Sequence, residues 1–148
     1  MSGRRYALRW RVGSLPHSEA RFEDVDGLYS ALDRALCDAI EFSRYVKGDL
    51  YTYPTTDDPL LLQFAVGHPW IATLFWHNDG ECMAAVEPGI RLQSGSGSGS
   101  AYEQPDEAHL PDLRYSRLRP STLRDALAVY VLTDQRAAGL HWSVMLGD

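Results

Sequence analysis

This chain has few of the residues and patterns that mark specialised classes of protein. It has two cysteines, Cys37 and Cys82, in 148 residues, too few for a disulfide framework and compatible with a reducing compartment. No window approaches the roughly 20 apolar residues of a membrane-spanning helix, and the start, MSGRRYALRWRVG, lacks the apolar core of a signal peptide. The sequence therefore predicts a cytoplasmic protein that does not bind a membrane.

The common motifs of catalysis and cofactor binding are also missing. The sequence has no GxGxxG fingerprint, Walker A loop, nucleophile elbow, CxxC or HExxH. The histidines are scattered without the i, i+4 spacing of a helical metal site; they are His17, His68, His77, His109 and His141. We therefore predict no catalytic residue, no bound cofactor and no metal.

Positive charge is scarce outside the first residues. The net charge is −6; residues 1–18 carry four arginines and no acid, whereas residues 19–60 carry ten acids against four bases. Such a chain lacks the basic stripe that neutralises phosphates, so we expect no direct binding of nucleic acid. An acidic surface can steer a basic protein partner, although many proteins are acidic for solubility alone.

The clearest structural pattern covers residues 60–87. Three apolar runs of strand length are separated by GHP and by HNDG, which are turn sequences. We interpret this segment as an antiparallel meander. Its middle run, 70–77, is apolar on both faces and so is covered on both sides or carries a partner. In the third run we expect Cys82, Ala84 and Val86 to point inward and the alternate, acidic set to reach water; that set is Glu81, Met83, Ala85 and Glu87.

The rest of the chain predicts further strands and two helices. Alternation indicates strands at residues 6–12 and 140–146. Helical spacing predicts one helix from Asp24 with Ile40 on its buried face, and a second capped by Ser121 or Thr122. Residues 41–59 are open to two interpretations: the helix extends to Lys47, or an edge strand forms at residues 50–53. The fold class is α+β, with an antiparallel sheet and both helices packed on one of its faces.

We expect residues 1–148 to form a single domain. The Ser/Gly run at residues 93–101 cannot bury anything and is interpreted as a flexible loop. It is either natural or synthetic.

One polar turn, HNDGEC, contains reactive side chains. Cys82 could act as a nucleophile with His77 as base, or both could bind metal together with Asp79. The Asn-Asp-Gly sequence already suffices for a hairpin turn, and we expect Cys82 to point inward. We therefore interpret the turn as structural and keep an enzyme using His77 and Cys82 as the alternative.

Aromatic side chains lie close to acids along the chain. Such a combination is typical of protein interfaces, in which apolar anchors are surrounded by a charged rim. For each tryptophan taken alone, a place in the core is the favoured interpretation, because these residues lie on predicted strands. The residues that we expect to contact a partner are Asp57, Asp58, Trp76, Asp79, Glu81, Tyr102, Glu103, Asp106 and Glu107.

The chain resembles the Imm1 family of bacterial immunity proteins from about residue 25 to residue 146. The resemblance rests on the meander LLLQFAV…WIATLFWHNDGECMAAV, on YEQPDEAHLP and on LRPSTLRDALAVYVLTDQRAAGLHW. It departs from the family pattern in the loop TDQRAAG, where the family tends to have Thr-Gly followed by Arg-Pro, and in the Ser/Gly repeats of the variable loop.

The resemblance implies an antitoxin encoded beside a polymorphic toxin, often one whose toxic domain is a nucleic-acid deaminase. It implies that the cognate toxin domain, with a basic nucleic-acid-binding cleft, is the partner. The chain would cover the toxin's active site and have no enzymatic activity of its own. A self-associating regulatory domain, pairing through the two-faced apolar strand, remains a further alternative.

Overall fold

One antiparallel sheet organises the protein. The computed structural model describes residues 5–42, 45–53, 61–67, 71–78, 80–90 and 115–145. In these ranges the strands lie in the order β2-β1-β3-β4-β5-β6-β7. Their bounds are β1 Arg5–Val12, β2 Ser18–Phe22, β3 Val46–Tyr53, β4 Leu61–Val66, β5 Thr73–Asn78, β6 Glu81–Val86 and β7 His141–Met145, and the helices are α1 Val25–Phe42 and α2 Pro120–Thr133. The α+β fold and the meander, β4 to β6, are confirmed.

Both helices pack on the same side of the sheet, which we call the helix face. Helix α1 contacts β1 to β4 and also α2. The Tyr130 ring of α2 meets Tyr6 of β1 and Trp76 of β5 edge-on, with centroid distances of 5.8 and 5.7 Å. Alternate residues of β1 and β4 are buried here, and each large apolar side chain that is fully buried stabilises the fold by about 1.5–3 kcal/mol. We call the opposite side the far face.

Helix α1 forms because its apolar residues recur at helical spacing. Leu28, Leu32, Ala35 and Ala39 are buried against the sheet, and the Asp24 carboxylate accepts the Gly27 N–H at 2.9 Å, as an N-cap does. The prediction that Ile40 belongs to this buried face is wrong, because its side chain is 75% exposed. Ile40 follows Ala39 by 100°, which turns it away from the sheet.

Both interpretations of residues 41–59 need correction. Helix α1 ends at Phe42, and β3 begins at Val46. Strand β3 is an interior strand, since it pairs with β1 on one side and β4 on the other. Gly48 lies within β3, and a larger residue would not fit there because its Cβ would lie 2.4 Å from Cζ of Phe64. Gly48, which in the sequence suggested the end of a helix, is therefore explained by the close packing of Phe64 against the backbone of β3.

Strand β2 was not predicted. It pairs with β1 in an antiparallel hairpin and forms one edge of the sheet. Glu19 and Arg21 are exposed on it and only Phe22 is buried. Short, charged edge strands of this kind protect a sheet from pairing with other chains, but they lack a strong apolar alternation.

The predicted faces of β6 are inverted. Met83 pairs with Trp76 on the helix face, and Ala85 is fully buried in the core there. Cys82, Ala84 and Val86 consequently lie on the far face. Alternation identified the two sets of residues correctly, but the side carrying Glu81 was wrongly assigned to water because both sets contain small apolar residues.

The start of α2 is set by Glu87 rather than by Ser121 or Thr122, so the predicted N-cap is wrong. Arg119 occupies the N-cap position without a side-chain cap, and Pro120 follows it. The Glu87 carboxylate accepts the Arg119 backbone N–H at 2.8 Å and also binds the Arg119 guanidinium. An acid at this end is favoured by the helix dipole.

Residues 116–118 join β5 to β6 where these strands separate. Leu118 exchanges two backbone hydrogen bonds with Ala72, and Arg117 bonds to Ala85 and Glu87. The fully buried Ser116 hydroxyl accepts the Leu74 N–H at 2.8 Å and lies 2.8 Å from the Ala85 carbonyl. The connection to α2 is thus part of the sheet.

Candidate functional site

The outer surface of α1 carries acids beside an exposed apolar side chain. Asp26, Asp33, Cys37, Ile40 and Glu41 lie on the solvent side of the helix, and we call this set the α1 stripe. The helix holds four acids and one base in total. An isoleucine left 75% exposed within an acidic surface has the composition of an anchor surrounded by a charged rim.

Two acids of α1 have structural roles. Asp38 accepts the Trp10 indole N–H at 2.7 Å, which fixes the helix over β1. Asp33 lies 2.9 Å from the Arg124 guanidinium, which joins α1 to α2. Asp26 and Glu41 are the exposed acids at the two ends of the α1 stripe. These two carboxylates are therefore the better candidates for binding a partner.

The far face has the opposite charge. Strands β1 to β3 present five bases and two acids on it, namely Arg5, Arg9, Arg11, Arg21, Lys47, Glu19 and Asp49. Burial raises the pKa of the Asp49 carboxyl above 3.8, against the opposing effect of Arg9, His17 and His77. The far face is therefore basic over these strands, and acidity is concentrated on α1.

The predicted contact residues divide into two groups. Trp76 and Glu81 lie in the part of the chain that the structure describes. Trp76 is half-buried on the helix face, edge-on to Tyr130 and Trp142, and Glu81 is exposed at the start of β6. The others lie outside the described residues: Asp57, Asp58, Asp79, Tyr102, Glu103, Asp106 and Glu107. The Ser/Gly loop at residues 93–101 also lies outside them.

The sequence analysis missed the cation above the tryptophan pair. The Arg136 guanidinium lies 5.9 Å from the Trp76 ring centroid and 5.7 Å from that of Trp142. The Trp142 indole N–H donates to the Ala137 carbonyl at 3.1 Å. The loop after α2 therefore covers this aromatic pair. Only the pairing of β7 with β6 reveals the cluster, because its members are far apart in sequence.

His77 and Cys82 are in contact on the far face. They are register partners on β5 and β6, and the distance from His77 Nε2 to Cys82 Sγ is 3.8 Å. The nearer partner of Nε2 is Gln63 Oε1, at 3.1 Å. On the other side, Cys82 Sγ lies 3.8 Å from Met145 Sδ. The expectation that Cys82 points into the helix-side core is therefore wrong, and these side chains form a partly exposed cluster.

A groove of about 820 Å³ lies beside this cluster, between β6, β7 and the connection before α2. Among the described residues, Val86, Tyr115, Arg117, His141 and Met145 line it, whereas His77 and Cys82 do not. Its mostly apolar lining with one guanidinium would suit a small apolar or anionic group. The concave pocket that the enzyme hypothesis requires is thus adjacent to the thiol and imidazole rather than lined by them.

Within the described ranges, no group of three or more His, Cys, Asp or Glu side chains could hold a metal ion. No described helix has the length and apolar character needed to cross a membrane.

Comparisons with protein-family models, with curated proteins and with solved structures find no match to this chain. The resemblance to the Imm1 family therefore stays a prediction.

Proposed function

We propose that this chain is an immunity protein of the Imm1 type that binds a cognate bacterial toxin domain and blocks its active site. The proposal places it in the cytoplasm, as a binding protein without catalysis. Its target would be a nucleic-acid-targeting toxin such as a deaminase, whose substrate requires a basic cleft.

The observation that carries the proposal is the α1 stripe. Ile40 is 75% exposed between acids at the end of a helix that is otherwise well packed, and Phe42, two residues on, is 44% exposed. Exposed apolar side chains within a charged rim are typical of interfaces. A helix is also rigid, so binding through it orders few side chains and costs little conformational entropy.

Charge complementarity supports one orientation of the partner. The α1 stripe would face a basic cleft, whereas the far face of β1 to β3 would repel it through Arg9, Arg11 and Lys47. The two sides of the molecule would therefore guide the encounter before contact. Neutralisation of a toxin requires long residence, so we expect nanomolar affinity, on the order of −12 kcal/mol.

The decisive experiment measures binding to the toxin domain encoded next to this gene. We expect an association rate that falls between about 50 mM and about 500 mM salt, because salt screens exposed charges. Asp26→Lys with Glu41→Lys should slow association, and Ile40→Asp should speed dissociation. In cells, the same variants should protect less well against the toxin.

Matched controls come from α2. Leu132 is 71% exposed and Asp125 is exposed, and both lie on the neighbouring helix. Leu132→Asp and Asp125→Lys should leave binding unchanged. No binding by the wild-type chain would refute the proposal itself, whereas equal effects of the α1 and α2 variants would refute only the assignment of the surface.

The contact between His77 and Cys82 favours a second candidate function, an enzyme with Cys82 as nucleophile. In such an enzyme, His77 would be the base and would accept the proton of the Cys82 thiol at Nε2. Gln63 lies closer to that atom, at 3.1 Å against 3.8 Å, so the arrangement is poor for this step. The enzyme hypothesis predicts a reactive Cys82 thiol and activity lost in Cys82→Ala; the immunity hypothesis predicts full protection by that variant.

Self-association is the remaining alternative. Strand β5, the two-faced apolar strand, pairs with β4 and β6 and therefore has no free edge. Leu74 and Phe75 are buried on its two faces. A dimer would have to form through another surface, and the molecular mass of the isolated protein in solution tests this directly.

A further inference from the structure

We propose that His77, Cys82 and Met145 form a binding site for one soft monovalent metal ion of the Cu(I) type. This inference does not depend on the proposed immunity function. It starts from the way three neighbouring strands align their side chains. His77 of β5 is the register partner of Cys82 on β6, and Cys82 is the register partner of Met145 on β7. All three side chains therefore project from the far face in one row.

The two distances from Cys82 Sγ to its neighbours in the row fit a metal of this kind. Metal to donor distances of about 2.0–2.3 Å in a three-coordinate planar site place the donor atoms about 3.5–4.0 Å apart. The distance from Cys82 Sγ to His77 Nε2 is 3.8 Å, and that from Cys82 Sγ to Met145 Sδ is also 3.8 Å. The thiol thus lies at a ligand-like distance from both neighbours without any movement of the backbone.

The types of donor select the metal. A thiolate and a thioether are soft ligands that prefer Cu(I), and an imidazole is compatible with them. Methionine sulfur is a poor ligand for the hard cations that carboxylates bind. No Asp or Glu is a register partner of His77, Cys82 or Met145 in this row. We therefore do not expect Mg²⁺ or Ca²⁺ to bind at this site.

Binding requires two proton adjustments. The metal replaces the thiol proton of Cys82, which leaves to solvent. His77 must present the lone pair of Nε2, so its ring proton resides on Nδ1. The hydrogen bond between Nε2 and Gln63 Oε1, at 3.1 Å, is then given up. Before binding, this contact holds the imidazole in place, which limits the cost of ordering the site.

The ion can reach the site from solvent. His77, Cys82 and Met145 are each partly exposed, and Met145 also lines the adjacent groove of about 820 Å³. The site lies away from the α1 stripe, on the other side of the sheet. Metal binding and partner binding can therefore be tested separately.

The test is a titration of the full-length reduced protein with Cu(I) under anaerobic conditions, in competition with a coloured Cu(I) chelator. We expect the wild-type chain to bind one equivalent and to show thiolate charge-transfer absorption. Cys82→Ser should abolish the absorption. Met145→Leu should weaken binding at least about tenfold, the scale on which loss of even an outer-shell partner weakens a metal site.

The second cysteine is the matched control. Cys37 is exposed on α1, far from the row, so Cys37→Ser should bind Cu(I) like the wild type. Unchanged binding in Cys82→Ser, loss of binding in Cys37→Ser, or no removal of Cu(I) from the chelator by the wild type would each overturn the proposal. Circular dichroism of each metal-free variant shows whether it is folded, and His77→Phe tests the imidazole in a second folded variant.

Discussion

The two sides of the sheet use the same alternating strands for different purposes. On the helix face, large apolar residues meet α1 and α2; Trp10, Leu62 and Phe64 are each no more than 2% exposed. On the far face, the same strands carry arginine, lysine, glutamine, histidine and cysteine. The comparison teaches that the large apolar core lies on the helix face, whereas the far face buries fewer side chains, Phe75 among them, and carries charge and reactive groups.

The α1 helix repeats this division. Its inner side contributes Leu28, Leu32 and Ala35 to the core, and its outer side carries the α1 stripe. The surface that we propose for partner binding is therefore separate from the packed side of α1, and mutations can distinguish the two.

Two adjacent leucines of β4 provide the most direct test of the difference between the faces. Leu62 is 1% exposed on the helix face, and Leu61 is partly exposed on the far face. Leu62→Ala should lower the free energy of unfolding by about 2–5 kcal/mol, through lost burial and a cavity. Leu61→Ala should lower the free energy of unfolding by about 1 kcal/mol, because the Leu61 side chain buries less apolar area on folding. Denaturant unfolding measures both, and equal losses would show that the two faces contribute equally to stability.

A pair of serines tests the connection at residues 116–118, which bonds to β5 and β6. The Ser116 hydroxyl is buried and bonds to the backbone of both Leu74 and Ala85. Ser116→Ala should destabilise the protein by about 1–3 kcal/mol, since it leaves buried polar groups unpaired. Ser143, exposed on the far face of β7, is the control, and Ser143→Ala should stay within about 0.5 kcal/mol. A comparable loss in both variants would mean that the junction contributes nothing specific.

The sequence predicted the parts of this fold that depend on local patterns. The period of two gave the meander and both terminal strands, and the turn sequence before Glu81 placed a hairpin with Gly80 at a φ of 79°. Helical spacing gave both helices. These signals are carried by neighbouring residues, so a single sequence is enough to detect them.

Features that depend on distant contacts were not predictable in this way. The side on which Cys82 lies depends on where the helices pack, and Ile40 is exposed although its neighbour Ala39 is buried. The start of α2 is set by Glu87, which directly follows β6 and lies 32 residues before Arg119. The proposed metal site depends on Met145, which lies beside Cys82 only because β6 and β7 pair in this register.

The pair formed by Glu87 and Arg119 should make stability depend on pH. Burial acts to raise the pKa of Glu87, but hydrogen bonds from the Arg119 side chain and backbone outweigh this and lower it below 4.5. Because the pKa is depressed in the folded state, the stabilisation is present above pH 4.5 and is lost as the pH falls through the folded value. Glu87→Gln should therefore show a shallower acid loss than the wild type.

The control for this titration is Glu81→Gln, at the exposed start of β6, the strand that Glu87 directly follows. It should reproduce the wild-type pH dependence in urea unfolding measured from neutral pH to about pH 3. Burial raises the pKa of Asp49, so this residue acts in the opposite sense. Its protonated carboxyl favours the folded state at low pH, and this stabilisation is lost as the pH rises through the folded pKa. A wild-type profile as flat as that of Glu87→Gln would contradict the assignment to Glu87.

The smallest effect should come from the ion pair between the helices. Arg124 and Asp33 lie 2.9 Å apart, but their side chains are 36% and 61% exposed, so solvent screens the pair and it contributes about 0.2–1 kcal/mol. Arg124 also stacks on Tyr29, with its guanidinium carbon 4.2 Å from the ring centroid. Arg124→Lys should keep the charge and lose part of the stacking, whereas Asp33→Asn keeps the stacking. If Asp33→Asn is neutral and Arg124→Lys is not, the two helices are joined here by packing, and Asp33 is available to the α1 stripe for recognition.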